Sequence, residues 1–366
     1  MALILTFLGK GGVGCSVSAI AAAKQLAAQG QRVLLVTQET APGFSLLIGT
    51  AVGPEPQPLD SNLWGVQLKS TVLLEQNWEM VKRLEAQYLR DPFFKAVYGQ
   101  ELSVLPGMDE ALALNAIREY DGSGEYDVIV HDGSHDRTSL RMWAIPEGID
   151  WYFRRFKKVF QESQIAQALS PFVQPVANVV LSGGFSGDLF DQPQVKESTG
   201  IVAQGKAAVK EVSRVRAYVV TTGDEVAIAT GRYLWGAAQQ IGLSVGGVLV
   251  NRCEAIAAVT DAFDPLPVSS LPPWSAGEWQ PLMAALPDFQ TVPDVPSAVT
   301  IDLETASVSL FLPSFDKKQI QLTQYGPEVT VEAGDQRHNL SLPPALQGRA
   351  VTGAKFQSGY LIISFA

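Results

Sequence analysis

Residues 3–16, L-I-L-T-F-L-G-K-G-G-V-G-C-S, decide the fold. The first six residues form an apolar run with the length and composition of a parallel strand that is buried on both faces. A glycine-rich segment follows at once, and small apolar residues from 18 to 28 continue as a helix. A strand, a glycine-rich loop and a helix in this order predict an α/β fold: a doubly wound, mostly parallel sheet that carries a phosphate-binding loop.

The glycine-rich loop matches the template G-x-x-x-x-G-K-[ST] at every position except one, where Cys15 replaces the lysine. Glycines in left-handed conformations allow successive backbone N–H groups to face one anion at the start of a helix. We therefore predict a nucleotide site; the alternative is an ordinary glycine-rich turn that binds no ligand. The predicted nucleotide-binding residues are Gly9, Lys10, Gly11, Gly12, Val13, Gly14, Cys15, Ser16 and Val17, and the hydroxyl of Ser16 is also a predicted Mg²⁺ ligand.

The sequence GKGGVG, with a lysine directly after the first glycine, resembles the ArsA-type ATPases. This family includes arsenite-efflux ATPases and the eukaryotic ATPases that target tail-anchored membrane proteins. The resemblance implies ATP or ADP with Mg²⁺, and it implies a homodimer in which Lys10 reaches the nucleotide of the partner. Residues 105–113 are also similar to the L-P-G-x-D-E-A-L stretch of the family.

Further site residues follow the predicted strands. By resemblance, Glu39 falls on the family's aspartate that positions the attacking water, and it is the candidate catalytic residue; an exposed acid in a turn is the alternative. Residues 126–132 read as a strand that ends in Asp132, a candidate metal-organising carboxylate. The family reads adenine with an asparagine that corresponds to Asn251, followed here by Arg252, and a turn residue that ends a strand is the alternative.

Two stretches depart from the family. Cys15 cannot supply the charge of the missing lysine, and residues 133–139 differ from the family's segment that senses the γ-phosphate. Both differences point away from efficient hydrolysis. His135, in the second stretch, is a tempting base, but a lone histidine in a polar loop is usually only solvated.

The chain divides at a proline-rich run. Residues 265–296 contain eight of the 22 prolines, and beyond them the apolar periodicity changes to two. We predict a nucleotide-binding domain at 1–296, with a helical insert at about 71–118 and 151–210, and a small antiparallel β-sandwich at 299–366. The sandwich resembles the α-crystallin domain of small heat-shock proteins.

Composition limits the partners and the compartment. A net charge of −10 over 366 residues argues against nucleic acid and anionic membranes as partners. Two cysteines are too few for a disulfide framework, for a four-cysteine metal site or for the clustered thiolates that arsenite requires. The apolar runs are too short for stable membrane insertion, so we expect a soluble, cytoplasmic protein.

Three functions remain open. The first is an ATP-binding protein with weak or no hydrolysis that handles a client protein. The second is an active ATP-hydrolysing targeting or transport ATPase. The third is a chaperone-like binding protein that does not use nucleotide.

Overall fold

The computed structural model describes residues 1–76, 107–162, 193–253, 256–325, 328–334, 336–340 and 342–366. For residues 152–162 and 193–199 it describes the backbone only. Much of the expected helical insert at about 71–118 and 151–210 lies outside the described residues. The insert therefore stays a prediction.

A large central sheet forms the first part of the molecule. Its strands are β1 (Leu3–Leu8), β2 (Val33–Thr37), β3 (Gln57–Asp60), β4 (Leu63–Gln67), β5 (Val128–Asp132), β6 (Val215–Thr221), β7 (Val245–Asn251) and β8 (Val268–Leu271). Their order across the sheet is β3-β4-β2-β5-β1-β6-β7-β8. All neighbours are parallel except β3, which runs antiparallel to β4. The predicted doubly wound, mostly parallel fold is confirmed.

Helices cover both faces of this sheet. They are α1 (Cys15–Ala28), α2 (Gly43–Ile48), α3 (Met108–Ser123), α4 (Arg137–Glu162), α5 (Pro193–Lys210), α6 (Glu225–Gln240), α7 (Ile256–Phe263) and α8 (Gln280–Ala285). One apolar core contains side chains of α3, α4 and α6, and a second core on the other face contains those of α1, α2 and α8. The alanine-rich sequence of α1 lets this helix pack closely on β1, β2 and β5.

Strand β1 lies at the topological switch point of the sheet. Its neighbours are β5 on one side and β6 on the other. In open α/β sheets a crevice forms at such a point, outside the carboxyl ends of the strands. The glycine-rich loop follows β1 directly and therefore lies at this crevice.

The second part of the chain is antiparallel. It contains β9 (Val299–Asp302), β10 (Ser307–Phe311), β11 (Ile320–Tyr325), β12 (Glu328–Ala333), β13 (Gln336–Leu340), β14 (Val351–Gln357) and β15 (Tyr360–Phe365). One sheet has the order β14-β15-β10-β9 and the other β11-β12-β13. Alternate residues of β15 are buried, and both sheets contribute to one apolar core. The predicted C-terminal antiparallel region is thus confirmed, while its limits at 296 and 299 stay a prediction.

The antiparallel part packs on α6. The rings of Trp235 and Phe311 lie 5.7 Å apart, and Nε2 of Gln240 donates to the carbonyl of Gln336 at 2.8 Å. His338, on β13, is hydrogen-bonded through Nδ1 to the carbonyl of Gln240. Among the described residues, no helix combines the length and the apolar character needed to cross a membrane.

Candidate functional site

The phosphate-binding loop has the backbone conformation that its glycines predict. Gly12 and Gly14 have φ angles of 84° and 103°, in the left-handed region that only glycine adopts readily. Gly9 is required for a different reason, since a Cβ atom there would collide with the carbonyl oxygen of Val220 and lie 2.9 Å from Sγ of Cys15. Gly11 has open space around it. The loop can therefore present its N–H groups at the start of α1.

Cys15 lies beneath this loop and is 6% exposed. Burial raises the pKa of its thiol well above the ordinary value, and the charge of Asp132 raises this pKa further. The thiol is consequently neutral. The position that carries a cationic lysine in the template carries here a small, uncharged and buried side chain.

Asp132 ends β5 and is 1% exposed. Its Oδ2 accepts a hydrogen bond from Oγ1 of Thr37 at 3.1 Å. Its buried Oδ1 makes no hydrogen bond of acceptable geometry to any residue that the structure describes, although it lies 3.0 Å from Nε2 of His135. The same Nε2 lies 3.3 Å from Oγ of Ser16. The structure therefore brings together the two predicted metal ligands, Ser16 and Asp132, with His135 between them.

His135 is not the solvated loop residue that the sequence suggests. Its side chain is only 16% exposed, and its φ angle of 63° is left-handed. Its Nδ1 donates to the carbonyl of Phe7 at 3.0 Å, and its own carbonyl accepts from the N–H of Gly9 at 2.9 Å. Burial by itself would lower the pKa of His135, but the neighbouring carboxylate of Asp132 outweighs burial and raises this pKa above its usual value.

One local signal accompanies the turn that carries His135. A Cβ atom on Gly133 would lie 2.5 Å from Cε1 of His131 and 2.8 Å from Oγ of Ser139. The turn thus requires a glycine two residues before His135. Glycine is common in polar loops of every kind, so Gly133 alone could not reveal the buried histidine from the sequence.

His131 lies next to Asp132 but has a different environment. Its Nδ1 is hydrogen-bonded to Oγ1 of Thr6 at 3.1 Å, and its Nε2 to Oε1 of Gln38 at 2.8 Å. Burial lowers the pKa of His131 to about 4. Both ring nitrogens therefore already have partners in a neutral, structural histidine.

Glu39 borders a cleft of about 190 Å³ beside the turn that follows β5. The other lining residues are Gln38, Glu110, Gly133, Ser134, Thr138 and Ser139. Oε1 of Glu39 accepts the N–H of Ala41 at 2.7 Å, which holds the carboxylate at the end of β2. The predicted catalytic acid and the divergent segment after Asp132 thus share one cleft.

Asn251 and Arg252 contact the loop from the end of β7. Nδ2 of Asn251 donates to the carbonyl of Val13 at 3.0 Å, and a guanidinium nitrogen of Arg252 donates to that of Gly12 at 2.6 Å. A Cβ atom on Gly14 would collide with Nδ2 of Asn251. Oδ1 of Asn251 is buried and has no hydrogen-bond partner in the part of the chain that the structure describes. Asn251 thus supports the loop and keeps one unsatisfied acceptor.

Two other predicted residues lie around the loop. Lys10 is exposed. A hydrogen bond from Thr222 is the main cause that lowers the pKa of Asp224, and the charge of Lys10 lowers this pKa further. Val17 is partly buried against the core beneath α1. The charge of Lys10 therefore lies at the surface of the loop.

The residues present fit a nucleotide phosphate and a divalent cation. The loop offers backbone donors to the phosphates, and Oγ of Ser16 and the unsatisfied Oδ1 of Asp132 offer oxygen ligands to the cation. Within the described ranges, no group of three or more histidine, cysteine, aspartate or glutamate side chains could hold a metal ion. A cation here would therefore take part of its coordination from a hydroxyl, from phosphate oxygens or from water.

Comparisons with known proteins agree with this geometry. Residues 2–263 match the model of the anion-transporting ATPase family, and residues 304–365 match that of the HSP20-like domain found in ArsA. A putative arsenical pump-driving ATPase of Chlorobaculum tepidum is 25% identical over 388 residues, which cover 99% of this chain and 95% of that protein. A protein of the same name from Prosthecochloris vibrioformis is 24% identical over 391 residues, with 99% and 95% covered. ATPase GET3 of Malassezia globosa is 27% identical over 183 residues, which are 48% of this chain and 50% of that protein.

Proposed function

This chain belongs to the anion-transporting ATPase family, as its loop sequence predicts, and we propose that it binds ATP and ADP with a divalent cation but hydrolyses ATP slowly or not at all. The observation that carries the proposal is the loop itself. It keeps the left-handed glycines and the neighbouring carboxylate of Asp132, while a neutral, buried thiol stands at the lysine position.

Binding and hydrolysis depend differently on that thiol. Backbone N–H groups and the dipole of α1 attract phosphate whether or not residue 15 is charged. Hydrolysis additionally needs a cation placed in advance beside the γ-phosphoryl oxygens, and such a group can contribute several powers of ten in rate. A divalent cation at Ser16 and Asp132 would supply part of that charge when bound. Cys15 supplies none, so the rate should fall further than the affinity.

One observation favours the alternative of an active ATPase. Glu39 borders the cleft beside Ser139 and Gly133, and its carboxylate is held in place by the N–H of Ala41. A carboxylate in this position could orient a water molecule toward a bound phosphate. Measured turnover distinguishes this alternative from the proposal.

The partners are also proposals. The exposed Lys10, on the rim of the loop, supports a homodimer in which this lysine meets the nucleotide of the other subunit. The HSP20-like region supports a role with a client protein. Neither partner is required for nucleotide binding by the loop.

Titration calorimetry with ATP and with ADP, each with and without Mg²⁺, tests the proposal, together with an assay of phosphate release. We expect saturable binding that Mg²⁺ strengthens, with little phosphate released. Absence of binding would instead favour a chaperone-like protein that does not use nucleotide. Rapid Mg²⁺-dependent hydrolysis of ATP would contradict the proposal and support the alternative of an active ATPase.

Two serines on α1 give a matched pair of variants. Ser16→Ala should remove most of the gain in affinity that Mg²⁺ brings, about tenfold or more, because the cation loses its hydroxyl ligand. Ser18→Ala should leave nucleotide affinity unchanged, since Oγ of Ser18 is buried, has no hydrogen-bond partner among the described residues and lies in the interior of the helix. Equal effects of the two substitutions would contradict the assignment of Ser16.

A further inference from the structure

His135 lies where the two predicted metal ligands converge. Its Nε2 is 3.0 Å from Oδ1 of Asp132 and 3.3 Å from Oγ of Ser16. Two ligands at right angles on one octahedral cation, each about 2.1 Å from it, are about 3.0 Å apart. Nε2 of His135 therefore lies at the spacing of a neighbouring ligand from each of the other two atoms.

The hydrogen bonds around His135 determine which nitrogen faces this point. The carbonyl of Phe7 can only accept, so Nδ1 of His135 must donate to it at 3.0 Å. In the neutral ring, Nε2 then carries the lone pair and faces Oδ1 of Asp132. Two lone pairs at this distance repel each other unless a proton or a cation lies between them. A backbone carbonyl that holds the other ring nitrogen is also the usual support of a metal-binding histidine.

The neighbouring residues fix both side chains in place. The N–H of Gly9 donates to the carbonyl of His135 at 2.9 Å, which joins the histidine turn to the phosphate-binding loop. Oγ1 of Thr37 holds Oδ2 of Asp132 at 3.1 Å, which leaves Oδ1 for another partner. Because one contact comes from the loop after β1 and the other from β2, the arrangement is built into the fold.

We propose that Nε2 of His135 is a third protein ligand of the divalent cation, beside Ser16 and Asp132, and that the site therefore prefers Mn²⁺ to Mg²⁺. This inference rests on the proposed function, because the cation is the one that accompanies the bound nucleotide. Mg²⁺ favours an all-oxygen octahedron, whereas Mn²⁺ and the later divalent metals accept an imidazole nitrogen more readily. An added imidazole thus changes which metal the loop selects.

Pulsed electron paramagnetic resonance of the Mn²⁺–ADP complex tests the coordination directly. The full-length protein is labelled with histidine that carries ¹⁵N only in its imidazole ring, so that adenine and backbone nitrogens do not contribute to the ¹⁵N coupling. The chain contains three histidines, and His131 and His338 have their own hydrogen-bond partners. We expect a directly coordinated ¹⁵N in the wild-type protein and its loss in His135→Ala.

Asp136→Asn is the matched control, because Asp136 lies in the same turn and its carboxylate accepts hydrogen bonds from Oγ of Ser134 and from the N–H of Thr138. This variant should keep the ¹⁵N coupling. His135→Gln is the second variant, since an amide N–H can still donate to the carbonyl of Phe7. The ratio of ADP affinity in Mn²⁺ to that in Mg²⁺ should fall about tenfold in both His135 variants and stay constant in Asp136→Asn.

The outcomes separate this inference from the proposed function. Mn²⁺-dependent ADP binding without a histidine coupling would overturn the inference and leave the proposed function standing. A histidine coupling from Mn²⁺ alone, in a protein that binds no ADP, would support the metal site and contradict the proposed function. Retention of the coupling in both His135 variants would also overturn the inference.

Discussion

In the proposed function, Cys15 is the residue that separates nucleotide binding from hydrolysis. Every other position of the loop template is present, and the loop keeps the left-handed glycines that expose its N–H groups. The side chain that normally brings a positive charge to the phosphates is here an uncharged thiol that packs under the loop. The proposed consequence is local, because backbone N–H groups attract phosphate without this side chain.

Restoring a positive charge at position 15 should therefore improve ATP affinity more than turnover. We expect Cys15→Lys to tighten ATP binding about tenfold, roughly 1.4 kcal/mol, as the long side chain carries its ammonium out of the buried position to the phosphates. Turnover should recover less, since the segment after Asp132 still differs from the family. Calorimetry and phosphate release measure the two effects.

Cys15→Met is the matched control for this change. Methionine is long and unbranched like lysine but brings no charge, so it reports the cost of extra volume near Gly9. We expect no gain in ATP affinity from it. Equal affinities of the lysine and methionine variants would show that charge at position 15 does not matter.

At the scale of elements, strand ends meet around one loop. The loop after β1 receives Asn251 and Arg252 from the end of β7, and His135 from the turn after β5. These contacts join segments that are more than 100 residues apart in the chain. The conformation of the loop thus depends on the whole parallel sheet as well as on its own glycines.

Asn251 has two possible roles that nucleotide binding can distinguish. If its buried, unsatisfied Oδ1 reads adenine, Asn251→Ala should weaken ATP binding by about 1–3 kcal/mol and leave pyrophosphate binding nearly unchanged. If Asn251 mainly holds the carbonyl of Val13, Asn251→Ala should weaken the binding of ATP and of pyrophosphate to the same extent. We expect the first result, measured by competition titration with the two ligands.

Arg252→Ala provides the comparison for this experiment. Arg252 also holds the loop, through the carbonyl of Gly12, but its exposed side chain has no assigned contact with a base. Loss of the Arg252 side chain should weaken the binding of ATP and the binding of pyrophosphate equally. An identical pattern for the Asn251 and Arg252 variants would place Asn251 among the residues that support the loop.

At the scale of the molecule, α6 connects the two parts of the chain. Its Gly236 allows a close approach, because a Cβ atom there would collide with the carbonyl of Pro313 and lie 2.7 Å from the ring of Phe315. Gln240, on the same helix, is buried and hydrogen-bonded to β12 and β13. The HSP20-like region is therefore attached along a helix that also covers the ATPase sheet.

Gly236→Ala tests this attachment. Alanine in the interior of a helix normally stabilises by roughly 0.5–1 kcal/mol relative to glycine. Here we expect the opposite sign, a destabilisation of about 1–3 kcal/mol and a lower Tm, because the new methyl group has no room. Differential scanning calorimetry of the full chain measures the change.

Gly200→Ala is the control for helix propensity. Gly200 lies within α5, and a Cβ atom there would have none of the described atoms within 4 Å. This substitution should keep or slightly raise Tm. A rise in Tm of similar size in Gly236→Ala and Gly200→Ala would show that the HSP20-like region is not closely packed on α6.

The sequence by itself determined the features that depend on neighbouring residues. The buried strands, the glycine-rich loop at residues 9–16 and the change to a period of two beyond the prolines are local patterns, and both the fold class and the family followed from them. A sheet buries either alternate residues or all residues of a strand. The apolar pattern of each segment therefore indicates a strand without reference to the rest of the chain.

The tertiary structure decided the surroundings of the site. His135 is 119 residues from Ser16, and the sequence around it reads as a polar loop. Only the pairing of β1 with β5, and the hydrogen bond from Gly9 to the carbonyl of His135, bring its Nε2 between Ser16 and Asp132. Local sequence does not encode such long-range contacts, because the chain acquires them only when the separate strands assemble into one sheet.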